Sequence, residues 1–506
     1  MKSAIAKGCS ALQWAVAVTA LVFATVAFGG VHPQSLLAVR VLVVVGFLLQ
    51  VISFSLSGSS LSEYRAASLL PISLFASFLG LVFVQAFFGP RLLSGSGIGS
   101  VYAYATFDSG IQLIFYFLFF VVVVGLASKR ESVERLLFAV SLLVFLVTVL
   151  GLAQRLSTEE RILWKSLSST PGRFFGPFIN ENHFGGLLGL AFPLALGLID
   201  YHWNRLKRES DEHQGKGTFW MSVLTLMNRG VGFLLFLIAL TLMACFFSLA
   251  RVASVILLFC SIAYFLSFCL KGRNVGWSWG MAAILFGSFL VLRWIGDSAI
   301  VDDFSLTKLQ ESWTIRFHVF VQSLALVRDF PLFGTGLATF PFISSKAISY
   351  LINDVSWDHV HNDFLELLIE TGFLGFGLWM AACLTLVLVC LRAVNRSSSY
   401  WTRAIIRQGM VSLLCIGFME LFDFHLKIPS LALFLSLQMA LLFHAGFSRK
   451  APSRVSPARG LSVKSSAFKW ALSFVCLAGS AVLLFYSVNE FRSYRSSQAE
   501  EDRVFR

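Results

Sequence analysis

Residues 357–372 read W-D-H-V-H-N-D-F-L-E-L-L-I-E-T-G, with two histidines, one asparagine and four acids in sixteen positions. An imidazole has an unperturbed pKa of about 6.5, so at pH 7 it is mostly neutral and able to take a proton. His361 is therefore a candidate general base. Asn362, Glu366 and Glu370 follow at spacings of four, which puts them on one face of a helix beginning here. The same residues would also serve as an N-cap and first-turn acids, which stabilise a helix without any chemistry. His359, His361, Asp358 and Asp363 are of metal-ligand type. A His-x-His spacing alone is weak, however, and a hydrogen-bonded histidine pair is the preferred reading, with no metal assigned.

Arginine is the second ingredient, because a planar guanidinium clamps phosphate oxygens two at a time. Arg316 lies in W-T-I-R-F-H-V-F-V-Q-S-L, where Ile315, Val319 and Leu324 recur near helical spacing. That segment is expected to be a helix lying on a membrane interface. Arg251 closes C-F-F-S-L-A-R at the edge of an apolar run. Each arginine also fits plain snorkelling to lipid headgroups. Arg173, Arg328 and Lys427 make weaker cases of the same kind.

Three further strings stand out. G-R-F-F-G-P-F-I-N-E-N-H-F puts Asn180, Asn182 and His183 at a helix start. F-D-F-H-L-K-I-P puts Asp423 and His425 at a helix end. P-L-F-G-T-G-L-A-T-F, residues 331–340, is a Gly-rich turn that either simply reverses the chain or cradles phosphate.

The elements that must position these residues are membrane helices. Of 506 residues, 57% are hydrophobic and 13% charged, against about 25% charged in an average soluble protein. Phenylalanine alone contributes 52 residues. This excludes a disordered chain, a disulfide-stapled secreted scaffold and a cytosolic enzyme. Apolar runs of the roughly 20 residues that cross a bilayer recur near 11–29, 36–56, 68–88, 111–127, 136–153, 184–200, 230–248, 253–270, 278–296, 364–391, 408–425, 430–446 and 470–487. The expected fold is all-α: one polytopic membrane domain over 1–506, with about 13 transmembrane helices. Lys2 and Lys7 before the first run resemble a signal peptide, but a second run follows at once and a retained first helix is favoured.

The formal net charge of +13 needs no nucleic acid, because the positive-inside rule accounts for it. With the N-terminus inside, the basic excess (Lys129, Arg130, Arg205, Lys207, Arg392, Arg403) falls on the inner side and a slight acidic excess outside. This parity makes residues 297–362 a long outer loop containing short interfacial helices, 447–469 an inner linker and 489–506 an outer tail. The eight cysteines show no paired loop pattern, so neither a disulfide framework nor a zinc site is expected. Most spans carry no polar residue at mid-depth, which argues against an ion path, and the unusual polar residues gather at outer helix ends.

In the order of four strings the chain resembles the O-antigen ligase and O-antigen polymerase superfamily of bacterial membrane glycosyltransferases. These are Asn180–Phe184, S-L-A-R at Ser248–Arg251, R-F-H-V-F…P-L-F-G-T-G from Arg316 to Gly336, and H-N-D-F-L-E-L-L-I-E-T-G at His361–Gly372. The likeness extends over about residues 68–445. D-F-H-L-K-I-P resembles a subgroup associated with exopolysaccharide loci, whereas Ser-Leu-Ala-Arg departs from the usual Ser-Arg.

The resemblance implies a glycan donor on undecaprenyl diphosphate. It implies an acceptor hydroxyl on lipid A–core or on another lipid-linked glycan, with membrane lipids around both. Arg316 and Arg251 would hold the diphosphate without a metal or other cofactor, and His361 would take the acceptor proton. Asn362, Glu366 and Glu370 would orient His361 or bind sugar. Asn180, Asn182, Arg173, His359, Asp423 and His425 are further substrate-binding candidates. The site would face the periplasm from the inner membrane. Ligase and polymerase are not separated at this point; a transporter or flippase of the same lipid, or a non-catalytic scaffold, are the competing classes.

Overall fold

In lipid every backbone polar group needs an internal partner, and long runs of Leu, Val, Phe and Ala therefore fold as helices. The computed structural model describes residues 2–56, 66–88, 97–157, 174–212, 231–269, 306–348, 357–448 and 466–504. Among these residues there is no strand beyond an isolated Phe175–Phe178 bridge. Up to residue 269 lie α1 (Lys2–Val26), α2 (Pro33–Leu56), α3 (Leu69–Phe87), α4 (Ala103–Ala127), α5 (Arg130–Leu156), α6 (Glu181–Glu212), α7 (Val231–Phe247) and α8 (Arg251–Cys269). Then come α9 (Leu306–Asp329), α10 (Phe340–Ala347), α11 (Asp363–Arg396), α12 (Tyr400–Met419), α13 (Pro429–Phe447) and α14 (Ser466–Val504).

Nine helices among the described residues are long and apolar enough to cross a membrane, with shorter apolar helices at Gly232–Phe247 and Arg251–Ile262. The all-α class therefore holds, and the described residues supply nine such helices against the about 13 spans expected of the whole chain. The expected span at 278–296 lies outside the described residues, as does Arg173. The run expected over 408–425 stops as a helix at Met419. The polar tail from residue 489 continues the last helix to Val504.

The centre of the bundle is α6, buried along its apolar length and packed against α5, α7, α8, α12 and α13. Its glycines make this closeness possible. A Cβ at Gly185 would strike Ala253 of α8, one at Gly186 would strike His425, and one at Gly197 would strike Gln408 of α12. α14 lies on the outside, against α2.

Two ends of the bundle can be told apart by their contacts. At one, Arg130 sits over the rings of Tyr201 (4.4 Å) and Trp401 (5.5 Å), and Arg407 pairs with Asp200 at 2.8 Å. At the other, the starts of α4, α6, α11 and α13 meet the ends of α3 and α12. One charge is set among the helices themselves: Arg40, buried in α2, pairs with Asp108 of α4 (3.3 Å) and Glu490 of α14. That ion pair docks the last helix toward the starts of α2 and α4.

Candidate active site

Residues 362–391 read as one straight helix, but α11 breaks at Gly372 (φ 64°, ψ −177°), a conformation open only to glycine. The break frees backbone groups that the Gly-rich turn satisfies. Thr335 and Gly336 donate N–H to the carbonyls of Ile369 (2.9 Å) and Glu370 (2.8 Å). Phe373 and Leu374 donate to Pro331 (2.8 Å) and Leu332 (3.1 Å). A Cβ at Gly334 would collide with the backbone of Glu370, and one at Gly372 with that of Leu332. The turn is thus a clasp on α11, and its Thr335 and Gly336 amides face α11 carbonyls, which corrects the phosphate-cradle alternative.

The clasp fixes the first turns of α11 under the segment 357–362. Asn362 is the N-cap: its Oδ1 accepts from Leu365 N–H (2.9 Å) while its Nδ2 donates to Leu421 O (3.2 Å). The preceding residue, His361, has φ 57°, a left-handed conformation that costs a side-chain-bearing residue roughly 1–2 kcal/mol. Glu366 holds it there from below, accepting Val360 N–H (3.0 Å) and His359 Nδ1 (3.0 Å).

The imidazole of His361 then meets Asp423, which lies between the end of α12 and the start of α13. His361 Nδ1 is 3.0 Å from Asp423 Oδ1. A carboxylate only accepts, so Nδ1 carries the proton and, in the neutral ring, Nε2 keeps the lone pair. Asp423 Oδ2 accepts from Asn182 Nδ2 (2.6 Å) and pairs with the Arg316 guanidinium (3.6 Å), which also donates to Phe422 O (2.8 Å). Burial pushes the Asp423 carboxyl up, but the His361 hydrogen bond and Arg316 outweigh it and hold the group well below the usual carboxylate range.

A second charged layer lies beside the first. Lys427 Nζ bridges Glu366 Oε1 (3.0 Å) and Glu370 Oε2 (3.3 Å), and Glu370 Oε1 accepts Phe340 N–H (3.1 Å) at the start of α10. Burial opposes the Lys427 charge, yet Glu366 and Glu370 raise its pKa above the ordinary value. Burial likewise opposes protonation of His359, but the Glu366 hydrogen bond raises it on balance. Burial lowers His425, whose Nε2 donates to Asn182 O (3.1 Å). The Phe424 ring stacks on His359 (centroids 4.1 Å apart) and meets His361 edge-on (5.1 Å), so it separates the two layers.

The accessible groups and the buried ones differ in charge type. Side chains of His361, Arg316, His359 and Lys427 are 22%, 25%, 25% and 29% exposed. Those of Asp423, Glu366 and Glu370 are 3%, 1% and 0% exposed. The site therefore presents nitrogen to its surroundings and keeps its carboxylates behind, an arrangement suited to an anion.

Asn362, Glu366 and Glu370 are expected to orient His361 or bind sugar, and Asp423 and His425 to bind substrate; all five are buried. Burial turns them inward, where they position other side chains. Asn182 is half-buried on Asp423, and Asn180 accepts the Asn182 N–H (2.8 Å) as a turn-former. Arg251 opens α8, whose Ala253 packs on Gly185, so it lies at the same end of the bundle as the start of α6. Arg328 is exposed beside Asp329. The reading missed Glu420 altogether and underrated Lys427. A carboxyl at the end of an apolar run is costly enough to have marked Glu420.

Residues 236–380 match the O-antigen ligase family model. The matched segment is similar to an O-antigen ligase domain, and it covers less than half of the chain. No curated protein matches the chain. The domain supports, in general terms, an O-antigen ligase-like membrane glycosyltransferase, and with it lipid-linked glycan substrates. It contains Arg251, Arg316, His359, His361, Glu366 and Glu370, whereas Asn182, Asp423, His425 and Lys427 lie outside it. The candidate site is thus assembled by packing O-antigen ligase family residues against α6 and the α12–α13 connection.

Proposed function

We propose that the protein transfers a glycan from undecaprenyl diphosphate to a sugar hydroxyl, in the manner of an O-antigen ligase, at the periplasmic face of the inner membrane. The observation that carries this reading is that Asp423 takes His361 on one carboxylate oxygen and Arg316 on the other. Such a carboxylate does two things at once. It fixes the imidazole so that Nε2 offers a lone pair to an incoming hydroxyl, and it holds the guanidinium on its other oxygen.

In this mechanism His361 Nε2 removes the proton of the acceptor hydroxyl as its oxygen bonds to the anomeric carbon. The carbon–oxygen bond to the diphosphate breaks in the same displacement, inverting the centre. Negative charge grows on the departing diphosphate, and Arg316, with N–H groups beyond those on Phe422 O and Asp423, meets it. Arg251 is assigned a second contact to the diphosphate. A site at one end of the helix bundle lets the polyprenyl tail of the donor remain in the membrane while its head reacts.

His361→Ala and Arg316→Ala are expected to abolish transfer while the protein still inserts. A deletion strain tests ligation itself: it should accumulate long polymer on the carrier lipid. Single repeats on the acceptor would instead mean a polymerase.

A further inference from the structure

Behind Asp423, α11 and the end of α12 meet through two carboxyls. Asp363 N–H donates to Glu420 O (3.0 Å), Leu426 N–H to Asp363 Oδ2 (3.2 Å) and His425 N–H to Glu420 Oε2 (3.2 Å). The remaining oxygens, Glu420 Oε1 and Asp363 Oδ1, are shut off from solvent and receive no donor from the described residues. These two carboxyls nevertheless lie in hydrogen-bonding contact. His425 completes the cluster. Its Nε2 must carry a proton, because it faces the carbonyl of Asn182, so in the neutral ring Nδ1 is an acceptor; it lies 3.7 Å from Glu420 Oε1 and also lacks a donor.

Three buried acceptors with nothing to accept from would cost a few kcal/mol each if all stayed bare. A proton on one of the carboxyls relieves two of the three, since one O–H bridges the pair.

We infer that Glu420 and Asp363 share a proton, and that this proton latches the start of α11, which carries His361, to the end of α12, which leads to Asp423. Glu420 is thereby a positioning residue. The groups facing it are Asp363 on α11 and Asp423, His425 and Lys427 on the connection that follows, with His183 of α6 against His425. Burial pushes the Glu420 carboxyl up to about 8, against the opposing hydrogen bonds from Asp363 and the His425 N–H. The sign follows. A carboxyl raised in the folded state stabilises the fold fully below its unfolded value of about 4.3. That stability declines as pH rises and is lost through about 8.

The consequence for transfer rests on the function proposed above. The proton itself does not, and it is read directly without substrate. Infrared spectra of the purified protein in detergent should contain the carbonyl stretch of a protonated carboxyl at neutral pH. That band should weaken as pH is raised into the alkaline range. It should be missing in Glu420→Gln and in Asp363→Asn, where an amide N–H replaces the proton as donor. The unfolding temperature of wild type should fall between neutral and alkaline pH, and that fall should be smaller in Glu420→Gln, which keeps only the part that His359 contributes. If Glu420→Gln does not fold, Asp363→Asn gives the same two readings. A band that is absent from wild type, or unchanged in both variants, overturns the proposal, as does an alkaline fall as large in Glu420→Gln as in wild type. A bound cation in place of the proton would leave no band.

Discussion

His361 and Asp423 stand 62 positions apart in the chain, on opposite sides of two helices, and meet at 3.0 Å. Their contact decides which imidazole nitrogen faces outward, and it gives the buried carboxylate a partner besides Arg316. Asp423→Asn keeps the shape but offers a neutral amide that binds the imidazolium and the guanidinium weakly. Transfer by Asp423→Asn should fall by about 10²-fold or more, in the range expected for loss of an oriented base. Steady-state transfer rates of purified wild type and variant, at saturating donor, measure this.

Lys427 is the cation between Glu366 and Glu370, both of which are buried. Lys427→Met leaves two carboxylates facing each other with no counter-charge. Breaking one side of such a buried pair costs about 3 kcal/mol or more. Thermal unfolding in detergent should show that loss, and Lys427→Arg should recover most of it.

Gly372 and Gly334 close the clasp on α11 backbone to backbone. A side chain at either position adds strain from a left-handed φ and a collision that no rotamer can relieve. Gly372→Ala and Gly334→Ala should each destabilise the protein by about 2–3 kcal/mol. The fraction of monodisperse protein after extraction, and its unfolding temperature, check this.

Stability should respond to pH with opposite signs at two residues. Asp423 is held below its unfolded value, so its contribution is complete above about pH 4 and is lost only as pH falls through the lower folded value. His359 is raised, so its contribution is complete below about pH 6.5 and is lost as pH rises through the higher folded value. Unfolding temperatures measured against pH should therefore show a constant gap between wild type and Asp423→Asn at neutral pH. His359→Gln should remove a step on the alkaline side of pH 6.5.

How much of this was legible in the residues depends on whether a feature is local. The apolar runs, the N-cap at Asn362 and the face shared by Glu366 and Glu370 are local, and the chain displays them. His361 and Arg316 stood out because polar side chains are expensive beside apolar runs. The Gly372 break is not local: a glycine within an apolar stretch reads as a tolerated helix residue, and only the turn at 331–336 supplies the partners that let the helix open there. Asp423 was visible as a polar residue at a helix end, but its place under His361 and Arg316 depends on packing among α6, α11 and α12. Arg40 escaped notice because its counter-charges, Asp108 and Glu490, lie on α4 and α14.

The central claim is that Arg316 and His361 act together on one lipid-linked donor. It is tested most directly by glycan transfer with purified protein in detergent, using a polyprenyl-diphosphate-linked glycan and a sugar acceptor. Wild type should transfer, while His361→Ala and Arg316→Ala, folded and inserted as wild type, should each lose activity by at least about 10²-fold. Transfer at the wild-type rate by either variant would contradict the account.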